Sequence, residues 1–427
     1  MELHIAITEA IENNFELATD KIQATLPEFG VSISESDFRW KLFPLLSANT
    51  NSDGQGIFTA EASVEKKFSP GTQFELRGIW NVRESGENGE EVTIQIEQPL
   101  FKDFGKLMSY QDIDQAKYQL FLAQLGLHRQ TESLILQVVN SFTIALNQSD
   151  RVDLEMAALI RAADLVRLVE VKVRQGSATT VDLLEMKMLH QEAELRFRQA
   201  EESLVIARAS LAELLGRVHE QLPPLASVEL EPLDLPSLAE SEKLAREHRP
   251  ERKQALATYA NARRQLSINE RQLYPDVRLV GNYKPVSEGD GNEWFAGIQA
   301  GRNVDRFVLN VQAEQQAQQV EAALLQVAST ELQINREVLQ IHSRLKTLEK
   351  EMEIADAQLV LSKERLRLAT GLYPSGRTDA TQLSDAEKEW VAAQTQKTDV
   401  ILQQVRARYE YWYVLGMLLK TPEPVIE

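Results

Sequence analysis

The 427-residue chain contains no cysteine. That excludes a disulfide framework, a thiolate metal site, a cysteine nucleophile and, for this form of the chain, a lipid anchor on an N-terminal cysteine. Glycine (19) and proline (14) are scarce for the length, which favours long uninterrupted helices over many loops. No apolar run approaches the ~20 residues that a membrane-spanning helix needs. Excess positive charge is absent too. The net charge of −18 argues against nucleic acid as a partner, because phosphate contacts need clustered Lys and Arg. The six histidines (His4, His128, His190, His219, His248 and His342) are scattered without metal-ligand spacing. No Gly-rich phosphate loop and no Ser/His/Asp set accompanies them, so the expectation is a non-enzyme without catalytic residue, cofactor or metal. A signal peptide is missing as well: Met1-Glu2-Leu3-His4 opens straight into an amphipathic pattern. Either the protein is cytosolic, or this is a mature form with a start methionine added. The remaining observations favour the second.

What is present is helix of unusual length. From about Leu107 to Gln175 the only breaker is Gly126, and from Arg302 to Thr370 there is neither Gly nor Pro. Each stretch predicts a rod of roughly 100 Å. Apolar rows at seven-residue spacing support this: Val138, Ala145, Val152, Leu159, Val166 and Val173, with Phe142, Met156 and Ala163 four residues on. In the later stretch Val320, Val327, Ile334, Ile341, Leu348 and Ala355 run beside Leu324, Val338, Leu345, Met352, Leu359 and Leu366. Paired heptad rows mean helices packed along their whole length, as in an ordinary coiled coil or a larger assembly. Each rod ends at a break, Arg174–Thr179 or Tyr373–Thr378, followed by another helix. Gly within the break and Ser/Thr after it suit a helix stop and a new cap, so these are helical hairpins.

The two halves match. Gly176 and Gly376 lie 200 positions apart, as do Leu215-Gly216 and Leu415-Gly416. Asn13-Asn14-Phe15-Glu16 answers to His248-Arg249-Pro250-Glu251, and Phe43-Pro44-Leu45-Leu46 to Tyr274-Pro275-Asp276-Val277. A tandem duplication follows, with repeats over 1–225 and 226–427. The first holds a short helix, strands over about 44–100 and a helical hairpin over about 107–216. The second holds a helix over about 238–272, strands over about 277–300 and a hairpin over about 302–419. The first half is longer between its Pro marker and its Gly turn, by enough for one extra β-hairpin.

The strand regions alternate strictly. Phe58, Ala60, Ala62 and Val64 interleave with Thr59, Glu61, Ser63 and Glu65, and Phe74, Leu76, Gly78, Trp80 and Val82 with Gln73, Glu75, Arg77 and Asn81. Val92, Ile94 and Ile96 follow after a polar loop over 83–91. Val277, Leu279, Gly281 and Tyr283, then Trp294, Ala296 and Ile298, repeat the pattern around a loop at 288–292. One apolar and one polar face suit a barrel wall between lipid and water. A half-buried soluble sheet has the same period. Its placement between two long rods in a duplicated chain favours the barrel, with at least four strands per chain. Trp80, Trp294 and Phe295 beside polar loops are placed as interfacial aromatics. Tyr411, Trp412 and Tyr413 are expected in the helical core.

Over nearly its whole length the sequence resembles the TolC-like outer-membrane factor family. The carriers are Asn14-Phe15-Glu16-Leu17, Arg249-Pro250-Glu251, Glu97-Gln98-Pro99-Leu100-Phe101, Gly176 with Thr180-Val181-Asp182-Leu183-Leu184, and Gly376 with Thr378. The resemblance implies a mainly α protomer with a transmembrane β-barrel portion and long antiparallel helices forming an α-barrel. It implies a homotrimer in outer-membrane lipid with a long periplasmic extension. It further implies a periplasmic adaptor and an inner-membrane pump as partners, serving efflux or type I secretion. Small toxic molecules, metal ions and secreted polypeptides remain open as cargoes; a soluble or periplasmic coiled-coil adaptor or scaffold is the other reading.

By the same resemblance the hairpin tips form the periplasmic entrance. The family's acidic pair falls on Gln382 and Asp385, of which only Asp385 keeps the acid; Asp379 stands nearby to compensate. These acids equally suit the N-terminal dipole of a solvated helix. Gate contacts carry over to Asp182, Tyr373 and Arg377, with plain helix capping the competing role for Asp182. Adaptor docking falls on Gln175, Gly176, Ser177, Ser375, Gly376 and Arg377, which also serve turn geometry.

Overall fold

The computed structural model describes residues 1–50, 56–83, 89–217, 222–228, 235–285, 292–302, 304–375 and 377–419. Gly376, His219 and parts of the loops expected at 83–91 and 288–292 lie outside them. In chain order the elements are α1 (Leu3–Asn13), α2 (Phe15–Ser36), β1 (Lys41–Thr50), β2 (Gly56–Lys67), β3 (Gln73–Arg83), β4 (Gly89–Pro99), the one-turn α3 (Lys106–Ser109), α4 (Gln111–Arg174) and α5 (Thr180–Leu214). Then come α6 (Leu238–His248), α7 (Pro250–Gln272), β5 (Asp276–Lys284), β6 (Glu293–Gly301), α8 (Phe307–Leu372) and α9 (Ala380–Val414). Among the described residues no helix is long and apolar enough to cross a membrane.

Chain contacts divide these elements into two compact units, each drawing on both halves of the sequence. The first unit comprises Met1–Lys21, Leu127–Pro250 and Glu331–Thr421. One of its cores gathers α1 with α4 and the end of α5 around Ala6, Ala10, Val138, Phe142 and Leu211. Another gathers α6 with α8 and the end of α9 around Ala245, Ile334, Val338, Ile341 and Tyr411. Tyr411 is fully buried, its hydroxyl 2.9 Å from Ser241 Oγ, whereas Trp412 is partly exposed, contrary to a core role for all three aromatics. The second unit comprises Ile22–Gly126 and Glu251–Thr330 and contains the whole described sheet. Its helical core is Tyr118, Phe121 and Leu125 of α4 against Ala257 of α7.

Three expectations are corrected. The helix predicted over 238–272 is two, broken at Arg249, which takes φ −59°, ψ 125°. Pro250 disfavours helical backbone in the residue before it, and itself opens α7, where its missing N–H costs nothing. Next, in α8 the row Ile334, Ile341, Leu348 and Ala355 is buried as expected, but in α4 the buried line drifts. It passes from Val138, Phe142 and Ala145 to Ala158, Ala162 and Val169, leaving Met156 half exposed. A straight helix drifts about 20° per heptad, so over this length a strict seven-residue row leaves the contact face. Finally, the first strand begins at Lys41, so Pro44 stands within β1 and not at its start.

Candidate functional site: the sheet faces and the helical tips

All six described strands form one antiparallel sheet in the order β1-β2-β3-β4-β5-β6. The extra pair of strands of the first half is thus continuous with the rest. Directly opposed residues share a face, so the register assigns every side chain. Leu42, Val64, Leu76, Ile94, Tyr283 and Trp294 form one row. With it go Leu46, Ala60, Trp80, Val92, Leu279 and Ile298: this face is mostly apolar, with Lys66, Glu90 and Gln98 on it near the strand ends. The opposite face carries Glu61, Glu65, Glu75, Arg77, Gln95, Glu97 and Arg278. Arg77 Nε donates to Glu61 Oε1 at 2.7 Å, and Arg278 lies within 3.5 Å of Glu97, Asp276 and Asp103. Phe295 adjoins Trp294 in β6 and therefore points to the polar face, which corrects the expectation that both rings sit at one interface.

Within the first unit, α4 turns into α5 through Gln175, Gly176 and Ser177, all exposed. Gly176 is left-handed (φ +71°), and Ser177 N donates to Lys172 O at 2.9 Å, closing the last turn of α4. Thr179 caps α5 in a reciprocal box. Asp182 N donates to Thr179 Oγ1 at 3.2 Å, and Thr179 N donates to Asp182 Oδ2 at 2.8 Å. At the second turn Ser375 Oγ donates to Leu372 O at 2.8 Å, Arg377 N donates to Leu372 O at 3.3 Å, and the Arg377 residue is exposed. Asp379 caps α9, accepting from Gln382 N at 2.7 Å. Asp379, Gln382 and Asp385, spaced by three, are all exposed.

The fold brings the two turns together. Tyr373 is buried in a small-residue core with Ala162, Val169, Met186, Leu189 and Ala380. Lys172 Nζ donates to Tyr373 O at 2.7 Å and stands 4.4 Å above the centre of its ring. Burial, with the carboxylates of Asp182 and Glu185 nearby, raises the Tyr373 phenol above its ordinary value. Thr381 Oγ1 donates to Glu185 Oε2 at 3.0 Å, and Lys388 pairs with Glu192 at 3.1 Å. Sequence reasoning missed Lys172 and also Arg161, whose Nε donates to the buried Glu387 at 2.6 Å while its guanidinium stacks 4.4 Å over Trp390. Lys172 had no signal, since its contact joins residues 201 apart. Arg161 and Glu387 had none either, since their contact joins residues 226 apart.

A two-faced antiparallel sheet and two long helical hairpins in one chain have a match among known families. The model of the outer membrane efflux protein family matches residues 58–217 and 243–410. The chain belongs to that family. Solved structures similar in fold include the CmeC outer membrane channel of Campylobacter jejuni (TM-score 0.75, 13% identity, 99% of this chain and 87% of that one). The outer membrane protein VceC of Vibrio cholerae is similar too (TM-score 0.71, 16% identity, 97% and 96%). So is the MtrE outer membrane channel of Neisseria gonorrhoeae in its open state (TM-score 0.70, 18% identity, 98% and 90%). A search of curated proteins finds no match. This efflux protein therefore has the α-barrel/β-barrel channel fold, and its relatives are outer-membrane channels, not enzymes.

Proposed function

We propose that three copies of this chain form the outer-membrane exit duct of a tripartite efflux or type I secretion system, passing substrate from the periplasm or a pump to the exterior. The observation that carries this is the sheet with one face apolar except near the strand ends, one charged face and a pairing partner on only one side of β1 and of β6. Lipid tolerates such a sheet only when it is closed, and one chain of six strands has two open edges. Helices add to the case: α5 exposes Val181, Leu184, Met188 and Leu195, and α8 exposes Ile354, Leu361 and Leu368. Apolar stripes at heptad spacing on two different helices suit a ring in which each copy meets the next.

The tips serve as the periplasmic entrance, Asp379 and Asp385 supplying carboxylates around the axis and Gln382 a neutral position between them. Asp182, Tyr373 and Arg377 act as gate residues, and 175–177 with 375–377 meet the adaptor. The repeats 1–225 and 226–427 are the products of one duplication, which the paired left-handed Gly216 and Gly416 support. Single-channel recording in a planar lipid bilayer tests the reading, with Asp385→Ala beside the unmodified protein. Cation-preferring current steps, weakened in the variant, are expected. Steps indifferent to the substitution would remove the carboxylate entrance. A folded protein that never inserts would move the assignment to a coiled-coil scaffold.

A further inference from the structure

The stagger of the six strands carries a statement about how the sheet closes. The row through Leu42 of β1 passes Val64, Leu76, Ile94 and Tyr283 and reaches Trp294, near the start of β6. The helix-joined end of β1 is Lys41, one residue from that row; the helix-joined end of β6 is Gly301, seven residues beyond Trp294. The difference of six residues is about 20 Å along a strand and five inter-strand steps are about 24 Å across it, so a common rim needs a tilt of about 40°. Closed barrels tilt their strands by roughly 35–45°. The register therefore already has the slant of a barrel wall.

The sheet's two flanks are also where apolar surface lies open. Beside β1, helix α2 exposes Ile22, Leu26, Phe29 and Ile33 as one stripe. Beside β6, the start of α8 exposes Val308, Val311 and Leu325. On the charged face both edge strands carry apolar side chains, Phe43 and Leu45 on β1 and Phe295 on β6, while Ile57, Ile79 and Val280 are scattered over the inner strands. Widths agree as well. Six strands at that tilt span about 40 Å of circumference, and four helical stretches of the same unit (in α2, α4, α7 and α8) span about the same at ~10 Å each.

We propose that a second copy of this chain covers each flank, so that three copies close an eighteen-stranded barrel through β6–β1 seams, with α2 of one copy against the start of α8 of the next. The proposal rests on the trimeric channel reading above and adds the strand count and the seam. Barrels of this size hold a water-filled channel, so the wall strands are not its narrowest point. At each seam Phe43 and Leu45 would lie near Phe295 of the adjacent copy, adding apolar side chains to a largely polar lumen.

The cysteine-free sequence gives a clean background for a test. Ser47→Cys on β1 is combined in turn with Phe295→Cys, Gly297→Cys or Gln299→Cys on β6, all facing the polar side, and the protein is oxidised in membranes. At least one pair should convert the monomer band into covalently linked trimers, while single-cysteine variants stay monomeric on denaturing gels. Conducting trimers in which none of the three pairs links would overturn the seam and leave the channel standing. Protein that stays monomeric in membranes would remove both. Hydrogen exchange on the unmodified trimer needs no substitution: amides of β1 and β6 should be as protected as those of β3. Fast exchange along either edge in intact trimers refutes the eighteen-stranded wall.

Discussion

The carbonyl of Asn13, the last residue of α1, lies so close over Gly216 that a side-chain carbon there would overlap its oxygen. Gly416 repeats the relationship with His248, the last residue of α6, where a Cβ would stand 2.8 Å from the carbonyl carbon. Both glycines are left-handed, at φ +71° and +68°. In each half the end of a long hairpin thus seats the end of a short helix, and the seat is backbone on backbone. Neither side can rotate out of the way.

Gly216→Ala and Gly416→Ala should therefore each destabilise by about 2–4 kcal/mol, left-handed strain adding to a clash that only backbone movement relieves. Gly216→Ala should be the worse. Denaturant midpoints of the detergent-solubilised protein measure both.

The Arg161–Glu387 pair gives a second expectation. The Glu387 side chain is 6% exposed and its partner 33%, so Glu387→Ala leaves a guanidinium half-buried over Trp390 without its carboxylate. The loss should be about 3–5 kcal/mol, and Arg161→Met with Glu387→Leu together should cost less than Glu387→Ala alone. A double-mutant cycle by thermal unfolding resolves the coupling.

Tyr373 sets a pH dependence at the tips. Burial, then Asp182 and Glu185, raise its phenol above the ordinary value of 10, so the folded state holds the proton longer than the unfolded chain does. Its stabilisation is complete below pH 10 and is lost as pH rises from there through the raised folded value. Denaturant midpoints should fall in that alkaline window, and Tyr373→Phe should lessen the fall.

The two faces of the sheet should respond oppositely to charge. Leu76→Arg places a cation on the apolar face and should cost about 2–4 kcal/mol if at the bilayer midplane, with loss of insertion. Gln95→Arg, on the polar face opposite Glu75, should insert normally. Vesicle floatation separates the two.

Much of this was legible in the sequence because it is local. The break at Arg174–Thr179 predicts the start of α5 at Thr180, and alternation over Phe58–Val64 and Phe74–Val82 predicts β2 and β3 with their faces. Gly176 lies where α4 stops. The signal failed where a neighbour decides. Leu42–Leu46 does not alternate, since both faces of β1 carry apolar side chains here, so only Pro44 marks the start of the strands. Trp294 and Phe295 are alike in composition and differ only in which side of the pleat they take.

By itself the sequence determined the helices, the hairpins and the two-faced strands, because each follows from residue type and short-range period. Only the tertiary structure decided that six strands share one sheet, that α4 changes its buried face along its length, and that Lys172 meets Tyr373 and Arg161 meets Glu387. Those depend on register and on helix rotation against a partner, which accumulate over tens of residues and are fixed by packing rather than by any local pattern.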